Sequence, residues 1–175
     1  MALLLRKGQP QALEELVNLT QSEFSRLAYS IVRDAETTRD VLQETYFLVF
    51  RRIDQLKDVA TFHSWVLRIL TNCCYDAIRR KRPELGLDLE QAEQEPDSST
   101  PDLAEAYSRR QLVRTTLAQL SEAERCLIGL REICHLSYEE IAAVLGVPLG
   151  TVRSRLSKAR KQFIAHYPGG THDGH

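Results

Sequence analysis

Apolar residues recur with the 3.6-residue period of amphipathic helices through the stretches 11–34, 35–54, 61–82, 102–119, 121–134, 137–146 and 148–166. The alternation expected of strands is nearly absent. Between the third and fourth stretches the period is lost, and Pro83, Gly86, Pro96, Ser98, Ser99 and Pro101 mark a tether. The pattern predicts an all-α chain of two small helical domains joined by an acidic flexible linker, the second carrying a helix-turn-helix. Its boundaries are 1–83 for the first domain, 84–107 for the linker, 108–167 for the second domain and 168–175 for a frayed tail. His172 and His175 in that tail are too few for a metal site.

The last pair of helices is the most strongly marked. Ser137 with Glu140 forms a capping box that satisfies two orphan N–H groups at a helix start, and Ser121 with Glu124 forms another. Ile141, Ala142 and Leu145 follow at helical spacing, and Gly146 can take the left-handed conformation that ends the helix. Pro148 is tolerated only in the first turn of a helix, so residues 147–150 are predicted to form the turn. Beyond it, Val152, Leu156, Ala159 and Phe163 share one face. Ser154, Ser157, Lys158 and Lys161 share the opposite one, flanked by Arg153, Arg155 and Arg160. A cationic helix without acids, behind a capped and tightly turned helix, has the form of a major-groove reader. The plainer alternative is a solvated helix in a bundle.

Charge sharpens the division. The net charge is −1, yet residues 84–107 hold Glu84, Asp88, Glu90, Glu93, Glu95, Asp97, Asp102 and Glu105 with no Lys or Arg. Two basic segments thus flank an anionic strip. A near-neutral total argues against strong DNA binding by charge alone, because non-specific affinity comes mainly from phosphate neutralisation. A partner is expected to supply the rest. Cys73, Cys74, Cys126 and Cys134 lack CxxC spacing and a His at ligand distance, so they are read as small core residues in a reducing cytoplasm. Leu3-Leu4-Leu5 is too short for a signal-peptide core, and no apolar run approaches membrane-spanning length. The expectation is a cytoplasmic chain without direct membrane insertion.

Two further stripes are not what a core requires. In 61–82 the apolar face holds Phe62, Val66, Ile69, Leu70, Cys73 and Ala77, while Trp65, Arg68, Asn72, Tyr75 and Arg79 line another face. Aromatics interleaved with Arg and Asn suit unpaired nucleotides, since rings stack on splayed bases and guanidinium groups hold phosphates. The run Arg79-Arg80-Lys81-Arg82 continues the stripe, although a charge run alone is more often a solvated helix end. In 35–54, Val41, Leu42, Thr45, Leu48 and Val49 face inward, and the other side shows Asp40, Gln43, Glu44, Phe47 and Arg51 with Phe50 at its edge. An exposed Phe among carboxylates and an amide is the form of a protein-binding anchor with a polar rim. Packing of Phe47 under a neighbouring loop is the alternative.

Asp40-Val-Leu-Gln-Glu-Thr-Tyr-Phe-Leu-Val-Phe-Arg51, then Thr61-Phe-His-Ser-Trp-Val-Leu-Arg-Ile-Leu-Thr-Asn72, then the acidic tether and the helix-turn-helix resemble bacterial sigma factors of the sigma-70 family. The resemblance is to the short extracytoplasmic-function group and spans residues 3–163. It implies that Asp40, Gln43, Glu44, Phe47 and Phe50 grip the β′ clamp helices of core RNA polymerase, with the β flap as a second contact. It implies that Phe62, Trp65, Arg68, Asn72, Tyr75, Arg79 and Arg80 melt and read the −10 element. Asn72 would meet a flipped-out base, in a pocket helped by the loop 55–60. Thr151, Arg153, Ser154, Ser157, Lys158 and Lys161 would meet the −35 element, and the acidic linker would thread toward the active-site channel and RNA exit path. The chain departs from the family's usual Phe-Leu-Arg-Ala-Trp in carrying Tyr46-Phe-Leu-Val-Phe50, which keeps the aromatic character. Ser157 stands where relatives often have a larger residue, so the −35 sequence is not carried over. A third domain and an N-terminal acidic region are not seen, unlike the housekeeping type.

The expected function is that of a dissociable initiation subunit, with promoter DNA and core polymerase as partners and an anti-sigma factor holding it inactive. No catalytic residues, cofactor or metal are expected; no Ser/His/Asp, paired-carboxylate or Gly-rich phosphate constellation stands out. The alternative is a stand-alone helix-turn-helix regulator of duplex operators, which has no use for the Trp65–Arg79 stripe or the Phe47 face. A protein that only mimics a sigma surface would have lost the DNA-contacting residues, and they are present.

Overall fold

The computed structural model describes residues 2–81 and 101–168, with the backbone alone for Pro10 and residues 101–107. Most of the acidic strip, Arg82 and the tail from Gly169 onward lie outside the described residues. The order is α1 (Ala2–Arg6), α2 (Pro10–Val32), α3 (Ala35–Arg52), 3-10 turns at Ile53–Gln55 and Val59–Thr61, α4 (Phe62–Lys81), α5 (Pro101–Ala118), α6 (Glu122–Glu132), α7 (Tyr138–Leu145) and α8 (Leu149–His166). No strand occurs among the described residues.

Local chemistry sets these boundaries. Arg33 takes a left-handed φ of 60° to end α2, and Asp34 then caps α3 by accepting the Thr37 N–H at 2.8 Å. Both expected capping boxes form, at Ser121/Glu124 and Ser137/Glu140. Gly146 ends α7 at φ 65°. The turn is shorter than the sequence suggested: Pro148 is the N-cap of α8, and Gly150 already lies inside that helix. A proline has a fixed φ and no N–H to leave unpaired, so the cap position costs it nothing. Helix α1 was not foreseen, because five residues show too little periodicity. It buries Ala2 and Leu5, and the Arg6 guanidinium donates to the Leu56 carbonyl.

The helices do not sort into two separate cores. Phe24, Leu27, Ile31, Leu67, Leu70 and Cys74 of the first half share one buried cluster with Cys126, Leu127, Leu130, Ile141 and Val144 of the second. Helices α2 and α4 pack on α6 and α7. The crossing of α2 and α6 is tight at Gly129, where a Cβ would stand 2.6 Å from Leu27 Cδ1 and 3.1 Å from Ser30 Oγ. Arg125 on α6 is buried at this seam. Its Nε and Nη2 donate to the Ile31 carbonyl at 3.2 and 2.7 Å, and Nη1 donates to Leu120. The Ile31 carbonyl lies in the last turn of α2, where no intrahelical donor remains.

Candidate docking and nucleic-acid interfaces

The amphipathic pattern of α3 buries Val41, Thr45, Tyr46 and Val49 and turns the opposite face to solvent. Phe47 is 55% exposed and Phe50 40%. Asp40, Gln43 and Glu44 surround them in the open. The Arg51 guanidinium lies 5.5 Å from the Phe47 ring centroid, covering one side of it. Phe47 does not pack under a loop. The five docking candidates are therefore brought together on one surface.

The candidates on α4 are brought into line but are not equally free. Phe62 stacks on Trp65 with centroids 6.4 Å apart, and both are half-buried. Arg68 and Asn72 are exposed. Tyr75 turns toward α6, where its hydroxyl meets the Cys126 thiol and burial pushes its pKa up. Arg79 pairs with Asp76, and Arg80 Nη2 reaches Glu44 Oε2 at 3.1 Å, linking the α4 stripe to the α3 face. Lys81 holds Asp34 at 3.0 Å. The loop before α4 is braced by Asp58, which accepts the Ala60 N–H at 2.9 Å while its carbonyl accepts the Thr61 hydroxyl at 2.8 Å.

On α8, Val152, Leu156 and Ala159 are buried, whereas Arg153, Ser154, Ser157, Lys158 and Lys161 are exposed and Thr151 is half-exposed. Arg160, read as a flanking cation, is engaged: its Nη2 pairs with Glu132 Oε1 at 2.7 Å. The remaining polar candidates form one continuous face.

A further surface had no clear sequence signal. An almost wholly apolar cleft of about 380 Å³ opens between α5, α6 and α8, lined by Val113, Leu117, Ile128, Phe163 and Ile164, with Ser30 of α2 at its edge. Val113 and Ile164 break the polar faces of their helices, which was the one hint available. All four cysteines are free and buried. Burial raises the pKa of the Cys126 thiol to about 11. Among the described residues no cluster could hold a metal ion, and no helix is long and apolar enough to cross a membrane.

Residues 16–84 match the family model for Sigma-70 region 2, and residues 110–163 match that for Sigma-70, region 4. The ECF RNA polymerase sigma-E factor of Escherichia coli K12 is 33% identical over 167 residues, covering 90% of this chain and 87% of that protein. The ECF RNA polymerase sigma factor SigW of Bacillus subtilis 168 is 28% identical over 90% of this chain and 89% of its own. Among solved structures, CnrH in complex with the cytosolic domain of CnrY superposes with a TM-score of 0.70 at 26% identity, covering 94% of this chain and 92% of that one. The sigma factor RpoE of Bartonella quintana, in complex with the anti-sigma factor NepR, shares the fold with a TM-score of 0.74 at 24% identity, covering 91% of this chain and 98% of its own. The chain belongs to the extracytoplasmic-function group of the sigma-70 family of RNA polymerase sigma factors.

Proposed function

We propose that this sigma factor distributes its work over three helices in chain order: α3 docks on core polymerase, α4 separates and reads the −10 element, and α8 reads the −35 element. The observation that carries this is the coexistence of three exposed faces of different chemistry, each the one its task needs. The α3 face is an aromatic anchor with an acidic rim, for the β′ clamp helices. The α4 face offers rings, an amide and guanidinium groups, for unpaired bases and phosphates. The α8 face is cationic with small hydroxyls, for a major groove. The apolar cleft beside α8 is suited to an apolar segment of the β flap. The residues 1–83 and 108–167 act as the two promoter-reading domains, with 84–107 as the acidic connector.

The protein performs no chemistry of its own, since phosphodiester formation belongs to the polymerase. Strand separation draws on binding flipped-out bases better than stacked ones. The α3 and α4 faces also suit occlusion by an anti-sigma factor, and CnrH and the Bartonella RpoE were each solved with such a binding partner. The chain acts in the cytoplasm, where the polymerase is. Run-off transcription with purified core enzyme on a promoter library tests the proposal. Transcripts from templates sharing a −35 and a −10 motif are expected, and none should appear without the protein. Absence of start-site selection by the reconstituted enzyme would refute it.

A further inference from the structure

Five contacts tie the two halves together, and none is required by either half alone. Arg125 of α6 caps the end of α2 through the Ile31 carbonyl. In the other direction Arg33 reaches the Ala118 carbonyl at 3.5 Å. The Arg114 guanidinium stands 5.4 Å from the centroid of the Tyr29 ring. Gly129 lets α6 approach Leu27 and Ser30. Tyr75 on α4 meets Cys126 on α6. Arg68, also on α4, lies beside the helix-turn-helix corner, its Nη2 3.8 Å from where a Cβ on Gly146 would stand.

We infer that the free protein is self-closing: its C-terminal half covers part of its own −10 face, and the seam must open before Tyr75 and Arg68 can meet a promoter strand. Gly129 and Arg125 set the balance between the closed and open forms. Gly129 does so by geometry, because no side chain intervenes at the crossing. Arg125 does so by satisfying a last-turn carbonyl that would otherwise lack a partner, at the negative end of the α2 dipole. Both residues lie away from the Phe47 face and from the exposed face of α8. The consequence for promoter binding rests on the proposed role of α4; the closure itself does not.

The native cysteines report on the seam. Cys74 and Cys126 are fully buried where α4 faces α6, and the Cys134 thiol meets Glu23 of α2. Cys73 instead sits between α3 and α4, against the Thr45 hydroxyl. A thiol reagent reaches a buried cysteine only through an opening, so its rate reads the opening equilibrium. With N-ethylmaleimide on the full chain, Cys74, Cys126 and Cys134 are expected to react as a group, at least about ten-fold faster than Cys73. Gly129→Leu should accelerate that group by a further factor of about ten with Cys73 unchanged, since Leu favours the helix more than Gly does and the disturbance falls on the crossing. Arg125→Met keeps the aliphatic stem, removes the cap, and should act in the same direction if Gly129→Leu fails to fold. Equal rates at all four cysteines in the wild type would overturn the inference, because the halves would then part only by unfolding.

A lock completes the test. Ser30 Oγ lies 3.1 Å from the Cβ position of residue 129, which places the two positions within reach of a disulfide. The oxidised Ser30→Cys/Gly129→Cys protein should lose run-off transcription with core enzyme by at least about ten-fold and regain it with dithiothreitol. Undiminished transcription from the locked form would show that opening is not needed. The labelling contrast is measured without DNA or polymerase, so it stands or falls apart from the role given to α4.

Discussion

Phe47 and Asn72 are held in the open by residues that have no need of them. The inward face of α3 is complete with Val41, Thr45, Tyr46 and Val49, and Phe47 adds nothing to that core. Phe47→Ala should therefore leave the fold intact and weaken core-polymerase binding by about 2 kcal/mol, the size of an aromatic anchor at an interface. A titration against core enzyme reads it, and unchanged affinity would take α3 out of the docking site. Asn72 is exposed on α4 between buried Thr71 and Cys73. Asn72→Ala should relax preference at one −10 position by roughly 1–3 kcal/mol while sparing core binding. Base-substituted templates with permanganate footprints measure this, and an unaltered −10 preference would count against the assignment. Asp34 works on stability instead. The Thr37 side-chain and backbone hydrogen bonds lower its pKa to about 2, with Lys81 adding to the effect. A depressed carboxylate contributes above its unfolded value of 3.8 and ceases to contribute as pH falls through about 2. Asp34→Ala should cost about 1 kcal/mol at neutral pH, a cap's worth with the exposed ion pair discounted. Denaturant melts should show the gap to wild type closing between pH 4 and pH 2.

At the scale of elements, α8 divides its labour between Arg153 and Lys158. Arg can hold a guanine edge with two hydrogen bonds, whereas Lys acts more as a point charge on phosphate. Arg153→Ala should relax specificity at one −35 base pair by roughly 1–3 kcal/mol. Lys158→Ala should weaken binding about equally on all sequences and lower the salt slope by about one unit. Holoenzyme binding to −35 variants across a salt series separates the two; indistinguishable effects would refute the division. These helices were largely legible in the sequence because their ends are local chemistry, such as Ser137 with Glu140 and the left-handed Gly146. The exposed faces were legible for the same reason, since period alone assigns them. Gly129 read as nothing more than a weak point in a helix, and Arg125 as one more surface cation. Each acquires its meaning from α2, about a hundred residues earlier in the chain. Tyr75 likewise fell in line with the arginines, and its turn toward Cys126 depends on where α6 comes to rest. Contacts between distant segments leave no periodic trace, so the seam and the apolar cleft had to be seen.

For the whole molecule, charge and closure act together. A net charge of −1 gives the free protein little attraction for DNA phosphates, whatever the local charge of α8. The packing of α6 and α7 on α2 and α4 further keeps part of the α4 face from DNA. Core polymerase is then what turns a weak binder into a promoter reader, by adding its own cationic surface and by holding the halves apart. The most direct measurement is the affinity of a promoter fragment, carrying both elements, for the free protein and for the reconstituted holoenzyme at physiological salt. The free protein is expected to bind poorly and with little preference, and the holoenzyme tightly and with preference at both elements. A nanomolar, sequence-specific complex formed by the free protein on duplex DNA would contradict this account and favour a stand-alone regulator.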